Sequence, residues 1–242
     1  MGLLTNEEVL CEVTENHLNT GLRGIPVGTC KTSFVTPGEG VHYCGYPIRE
    51  LVDFSPEDII YLLFHKELPN SEQSTNFRAD LSARATLPDG VEEVFKTLPR
   101  QGHPMDWLSI GIHTLGMYET TEDWLDDTLN LIARMPRLMG LIYRYREGRI
   151  SNIPEDNVNG SLVERFVDTL DLPDVDREKM VRVISTYLVL HMDHGGGNLS
   201  TFTGKSIASG KATVYSAIAG AMNALSGPLH GRANQSCLEF VL

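Results

Sequence analysis

The sequence predicts a mainly α-helical fold with one small β-hairpin near its N-terminus. Three observations carry this. Helix-start signals precede most of the apolar runs, prolines mark the joints between them, and β-formers concentrate in one short stretch, residues 29–46. At 242 residues the chain is long enough to bury a continuous core.

The elements follow in order. Thr5-Asn6-Glu7-Glu8 reads as a capping box opening a short helix that carries Val9, Leu10 and Val13. Thr29 to Val35 and Val41 to Tyr46 read as two strands around Thr36-Pro37-Gly38-Glu39-Gly40, a turn rich in glycine. Ser55-Pro56-Glu57-Asp58 combines a capping hydroxyl, a proline at the first helical position and acids at the positive dipole end. The helix it opens stops before Pro69. Further helices are expected over 71–85, 89–97, 104–118, 121–147 (broken near Pro136), 159–170 and 176–193. Ala212 to Gly227 is a helix dense in Ala, Gly and Ser, suited to a core or to a subunit interface. The last residues, Gln235 to Leu242, read as the opening of one more amphipathic helix without a closing signal, so the chain is expected to stop mid-element.

Composition narrows the function. Acidic residues outnumber basic ones by 32 to 20, giving a net charge of −12, and no Lys/Arg run exists, which argues against nucleic acid. No apolar stretch approaches the roughly 18 residues of a membrane span. The acidic N-terminus fits no leader, and Asn6 stands where a myristoylation motif needs Ser or Thr, so a cytoplasmic location is expected. Cys11, Cys30, Cys44 and Cys237 have neither scaffold nor zinc-finger spacing and are expected to be reduced core thiols.

Two histidine clusters stand out. His191-Met192-Asp193-His194-Gly195-Gly196-Gly197-Asn198 follows the apolar run 183–190, and Ser226-Gly227-Pro228-Leu229-His230-Gly231-Arg232-Ala233-Asn234-Gln235 follows the small-residue helix. Each places imidazole, which titrates near neutrality, beside glycines that let a ligand approach the backbone. His191, Asp193 and His194 have the donor chemistry of metal ligands, but three ligands within four residues rarely complete a shell, and no metal is expected. Each histidine taken singly also fits a plain buried hydrogen bond. Gly204-Lys205-Ser206 has the tail of a phosphate-binding loop, yet Leu199 stands where the first glycine belongs and no strand precedes it.

Taken together, the two motifs resemble the citrate synthase family, especially the mitochondrial and bacterial type. His194 and His230 stand 36 residues apart in the family's order. Gly21-Leu22-Arg23-Gly24, Thr32-Ser33, Pro37-Gly38-Glu39-Gly40, Gly45-Tyr46-Pro47-Ile48, Leu63 to Pro69, His103-Pro104-Met105 and Ile142 to Gly148 continue the resemblance, which runs from about residue 8 to the end. It implies an almost wholly helical homodimer that condenses acetyl-coenzyme A with oxaloacetate and hydrolyses the citryl thioester to citrate and coenzyme A, with no cofactor beyond the co-substrate.

Carried over residue by residue, His230 is the catalytic histidine that hydrogen-bonds the thioester carbonyl, and His194 binds oxaloacetate. Arg23, with Arg144 or Arg146, serves the coenzyme A phosphates. The chemistry agrees with these residue types: a donor must stabilise an enolate oxygen while a base takes a methyl proton, and a nearby helix N-terminus favours a neutral ring. Gly195 departs from the acid usual there, which implies altered local packing.

The resemblance also implies that residues 1–242 are the large-domain portion, with a second active-site histidine, the catalytic aspartate and several oxaloacetate-binding arginines falling beyond Leu242. On that expectation the chain is inactive alone. Three other readings stay open: 2-methylcitrate synthesis from propionyl-coenzyme A, a non-catalytic paralogue that binds oxaloacetate or a longer partner, and a metal-dependent hydrolase.

Overall fold

The computed structural model describes residues 9, 11–19, 25–26, 28–193, 195, 197–227 and 230–231. It is mainly α-helical, as the sequence predicts. A 3-10 helix, Glu15–Asn19, leads to three antiparallel strands, β1 (Ser33–Thr36), β2 (Gly40–Tyr43) and β3 (Tyr46–Pro47), in the order β1-β2-β3. Ser33 faces Tyr43 and Thr36 faces Gly40, so the expected hairpin forms, and a two-residue third strand extends it. Gly38, Gly40 and Gly45 all take the positive φ that these tight reversals need.

Ten α-helices follow among the described residues: α1 (Ile48–Leu51), α2 (Pro56–His65), α3 (Ser71–Ala83), α4 (Val91–Thr97), α5 (Pro104–Glu119), α6 (Trp124–Glu147), α7 (Leu162–Leu170), α8 (Arg177–Leu190), α9 (Leu199–Ser209) and α10 (Val214–Leu225). Most of their starts obey the capping rules. The Ser55 hydroxyl accepts from the Asp58 N–H, and Asn70 with Gln73 and Ser161 with Glu164 form complete capping boxes.

The structure corrects four expectations. Pro136 does not break α6, which runs unbroken through it: Leu131, Ala133, Pro136 and Leu138 are all buried, and packing on both sides of the proline outweighs one lost backbone hydrogen bond. α9 occupies a stretch where no helix is expected. In its midst, a Cβ on Gly204 would stand 3.3 Å from the Ala217 carbonyl, so glycine here serves close helix approach rather than a loop. The capping-box helix at Thr5 lies mostly outside the described residues; 11–14 are not helical, and Val9 and Val13 are exposed, with no face to pack against. Finally, Cys11 and Cys30 are exposed and Cys44 half-buried, so none of the three is a core thiol; Cys237 and the expected terminal element lie outside the described residues.

Among the described residues three apolar clusters hold the elements together. The largest joins Phe95, Trp107, Ile112, Leu115, Leu138, Leu141, Tyr215 and Ala219 from α4, α5, α6 and α10. A second joins Tyr43, Leu51, Ile59, Leu62 and Val189, and a third Ile60, Leu81, Ala133 and Leu162. Each buried leucine or isoleucine contributes about 1.5–3 kcal/mol. Met192 packs against both smaller clusters, so the loop after α8 is pinned into the interior. The small residues of α10 face its helical neighbours: a Cβ on Gly220 would fall 2.2 Å from Ile207 of α9, and Gly116 of α5 lies under Tyr215.

Candidate functional site

The site is assembled where α8 ends, α9 begins and α10 ends. His191 closes α8: its Nδ1–H donates to the Tyr187 carbonyl at 2.8 Å, and its ring stacks on Tyr187 at 4.2 Å. The chain then turns. Asp193 Oδ1 accepts from the Gly195 N–H at 2.9 Å, while the Asp193 N–H donates to the Tyr43 hydroxyl at 3.3 Å. Tyr43 is fully buried in β2, and burial raises its pKa even though the backbone N–H groups of Asp193 and Met192 oppose the rise. Gly195 sits at φ +84°, a conformation that glycine adopts without strain.

Asn198 makes the next junction. Its Oδ1 accepts from the Thr201 N–H at 2.9 Å and from the Ser200 hydroxyl at 2.6 Å, capping α9, and its Nδ2–H donates back to the Gly195 carbonyl at 3.3 Å. One of the amides at the start of α9 then finds an unusual acceptor. The Ser200 N–H donates to Nε2 of His230 at 3.3 Å. An N–H can donate only to a bare ring nitrogen, so the contact goes with a neutral imidazole carrying its proton on Nδ1.

His230 is itself held by the exit from α10. Its N–H donates to the Gly227 carbonyl at 3.0 Å, and the Gly231 N–H donates to the Leu225 carbonyl at 2.9 Å. A Cβ at residue 231 would lie 2.2 Å from that carbonyl, so the turn that aims His230 needs its glycine.

Arg144 and Arg146, both near the end of α6, part company. Arg144 is buried, its guanidinium spread over the carbonyls of Thr169, Leu170 and Asn152 and the Asp171 carboxylate, and it seals the C-terminal end of α7. Arg146 is half-buried and donates from Nε to the Gly102 carbonyl at 3.1 Å, beside the turn that enters α5. Arg23 and His194 lie outside the described residues, although both neighbours of His194 are fixed by the bonds above. Sequence reasoning gave Asn198 and Ser200 no role. The signal for Asn198 was a capping residue ahead of an unrecognised helix; for Ser200, a backbone donor, the side-chain pattern held none.

Residues 21–242 match the family model for citrate synthase, C-terminal domain. The chain belongs to the citrate synthase family. It is 31% identical over 260 residues to a mitochondrial 2-methylcitrate synthase of Yarrowia lipolytica, covering 97% of this chain and 55% of that protein. A mitochondrial citrate synthase of Citrus maxima is 32% identical over 254 residues, covering 91% and 51%. The chain thus spans about half the length of the curated relatives it matches. The Thermotoga maritima citrate synthase structure superposes with a TM-score of 0.78 at 25% identity, covering 91% of this chain and 59% of that one. That of Pyrobaculum aerophilum gives a TM-score of 0.81 at 23% identity, covering 97% and 62%, a likeness of fold. Among the described residues no helix is long and apolar enough to cross a membrane.

Proposed function

We propose that this chain is the part of a citrate synthase that presents His230 to the thioester of acetyl-coenzyme A and His194 to oxaloacetate. The observation that carries the reading is the Ser200 N–H donated to His230 Nε2, which leaves Nδ1–H as the ring's donor. A thioester methyl is a weak carbon acid. As a base removes its proton, charge collects on the thioester oxygen, and a fixed neutral donor there stabilises the enolate. The new carbanion attacks the ketone carbon of oxaloacetate, whose oxygen takes up a proton. Water then cleaves the citryl thioester, releasing citrate and free coenzyme A. No residue of this chain is assigned as the base.

Oxaloacetate is a dianion, so His194 would act with further cationic donors. Of the residues expected to meet the coenzyme A phosphates, we assign Arg146 and Arg23 rather than Arg144, whose guanidinium is already enclosed. A homodimer in an aqueous compartment, the cytoplasm or the matrix of mitochondria, completes the proposal. The Yarrowia relative favours one second reading, the same condensation with propionyl-coenzyme A; a single methylene is worth only about 1–3 kcal/mol in a pocket.

Thiol release from acetyl- and propionyl-coenzyme A with oxaloacetate tests both readings. It would be followed on the chain alone and on the chain completed with the C-terminal portion of a relative. Turnover is expected in the completed chain, with acetyl-coenzyme A as the better substrate. A completed, folded chain that releases no thiol from either would overturn the assignment.

A further inference from the structure

We propose that Cys30 and Cys44 form a thiol pair that hydroperoxides convert to an intramolecular disulfide. The inference is independent of the condensation chemistry. Both cysteines contact Thr32, Cys30 through its thiol and Cys44 through its backbone N–H. Cys30 Sγ lies 3.3 Å from the Thr32 hydroxyl and 3.8 Å from that of Ser33, while the Cys44 N–H donates to the Thr32 carbonyl at 2.7 Å. Ser33 and Tyr43 are cross-strand partners, so the segments carrying the two thiols leave the same end of the β1–β2 ladder.

Their surroundings divide the labour. Cys30 is exposed, and the Thr32 hydroxyl, helped by the backbone N–H groups of Ser33 and Thr32, overcomes partial burial and brings its thiol down to about 7. Cys44 is half-buried, donates to the Leu62 carbonyl of α2 at 3.6 Å, and is raised by burial. Cys30 therefore supplies the attacking thiolate and Cys44 the resolving thiol. The Cys30 sulfur attacks one peroxide oxygen and the O–O bond breaks; the departing hydroxide takes a proton, leaving a sulfenic acid. The Cys44 sulfur then attacks the Cys30 sulfur, and the sulfenyl oxygen leaves as water with the thiol proton. Both sulfurs are oxidised and the peroxide is reduced.

Cys44 stands at φ +49°, next to Tyr43, whose hydroxyl receives the Asp193 N–H. Drawing Cys44 off α2 therefore pulls on the loop that carries His194.

The test is direct, because trypsin separates the partners: Cys30 falls in 24–31, Cys44 in 32–49 and Cys11 before Arg23. The chain is treated with limiting hydrogen peroxide and blocked with N-ethylmaleimide. Mass spectrometry of the unreduced digest should show 24–31 joined to 32–49 with the loss of two hydrogens. Amide exchange at Asp193 should rise with it. Peroxide should consume Cys30 about tenfold faster than an ordinary thiol at neutral pH. In Cys44→Ser, and in Cys44→Ala should the serine unfold the chain, dimedone should label Cys30; in Cys30→Ser it should label neither position. Linkage to Cys11 or between chains, dimedone labelling of Cys30 in the unaltered protein, or Cys30 reacting no faster than Cys11 would each overturn the proposal.

Discussion

The backbone N–H of Ser200 and the ring of His230 meet at 3.3 Å, and this contact joins the start of α9 to the exit of α10. The partners stand 30 positions apart in the chain. The side chain of Asn198 fixes the donor end and the Gly231 turn fixes the acceptor end, so the histidine's tautomer is set from two directions.

Removing the donor's support should be felt locally. Asn198→Ala deletes the cap on α9 and the bond to the Gly195 carbonyl. It should cost about 1 kcal/mol, read as a lower urea midpoint, with His230 ring resonances broadened. Asn198→Asp keeps the cap and should recover most of the stability.

The arginines of α6 should separate by assay. Arg144→Ala strips donors from the buried carbonyls of Thr169 and Leu170 and from that of Asn152, and should destabilise the chain by about 3 kcal/mol. Arg146→Ala should stay within about 1 kcal/mol and, in a chain completed with the C-terminal portion of a relative, should raise the KM for acetyl-coenzyme A. Urea unfolding checks the first pair of statements and steady-state kinetics the last.

His230→Ala in the completed chain should lower turnover about a thousandfold while calorimetry shows oxaloacetate affinity largely kept. His194→Ala should show the reverse emphasis, with weakened oxaloacetate binding. Near-normal turnover in the first variant would remove His230 from the reaction.

Acid should loosen the α7–α8 junction. Arg177 donates to both oxygens of Asp168, at 2.5 and 2.9 Å, and Asn157 adds a third bond at 3.2 Å. The arginine bonds hold the Asp168 carboxyl below its usual range. A carboxyl depressed in the folded state contributes stability that is fully present above its unfolded value, about 3.9, and is lost as pH falls through the lower folded value. The stability difference between wild type and Asp168→Asn should therefore be constant from neutrality to about pH 5 and shrink below about pH 4. Chemical denaturation across that range measures it.

Close helix approach makes a further prediction. Gly116→Ala would place a Cβ 2.7 Å from Tyr215 Cβ, which has no freedom to rotate away. The variant should lose about 1–3 kcal/mol despite alanine's better helix propensity, seen as a lower thermal midpoint.

Local rules made much of this legible. Ser55-Pro56, Ser161 with Glu164, and the glycines around β2 behave as their side chains dictate, because capping and turn chemistry act within a few residues. Pro136 misled, and α9 around Gly204 went unread, for the opposite reason: packing against distant helices, invisible in a local window, overrode what proline and glycine do alone. The histidines were legible as residues. The contact that gives His230 its tautomer was not, since its donor is a main-chain N–H that any amino acid but proline would supply. Arg144 and Arg146 lie two positions apart, and only the fold shows that α7 claims the first.

The most direct measurement is the nitrogen-15 NMR of the His230 ring in selectively labelled chain at neutral pH. Nε2 should resonate as a bare, hydrogen-bonded nitrogen and Nδ1 as the protonated one, with a correlation from Nε2 to the Ser200 amide proton. A spectrum with the proton on Nε2, or on both nitrogens, would contradict the assignment of His230 as a fixed neutral donor.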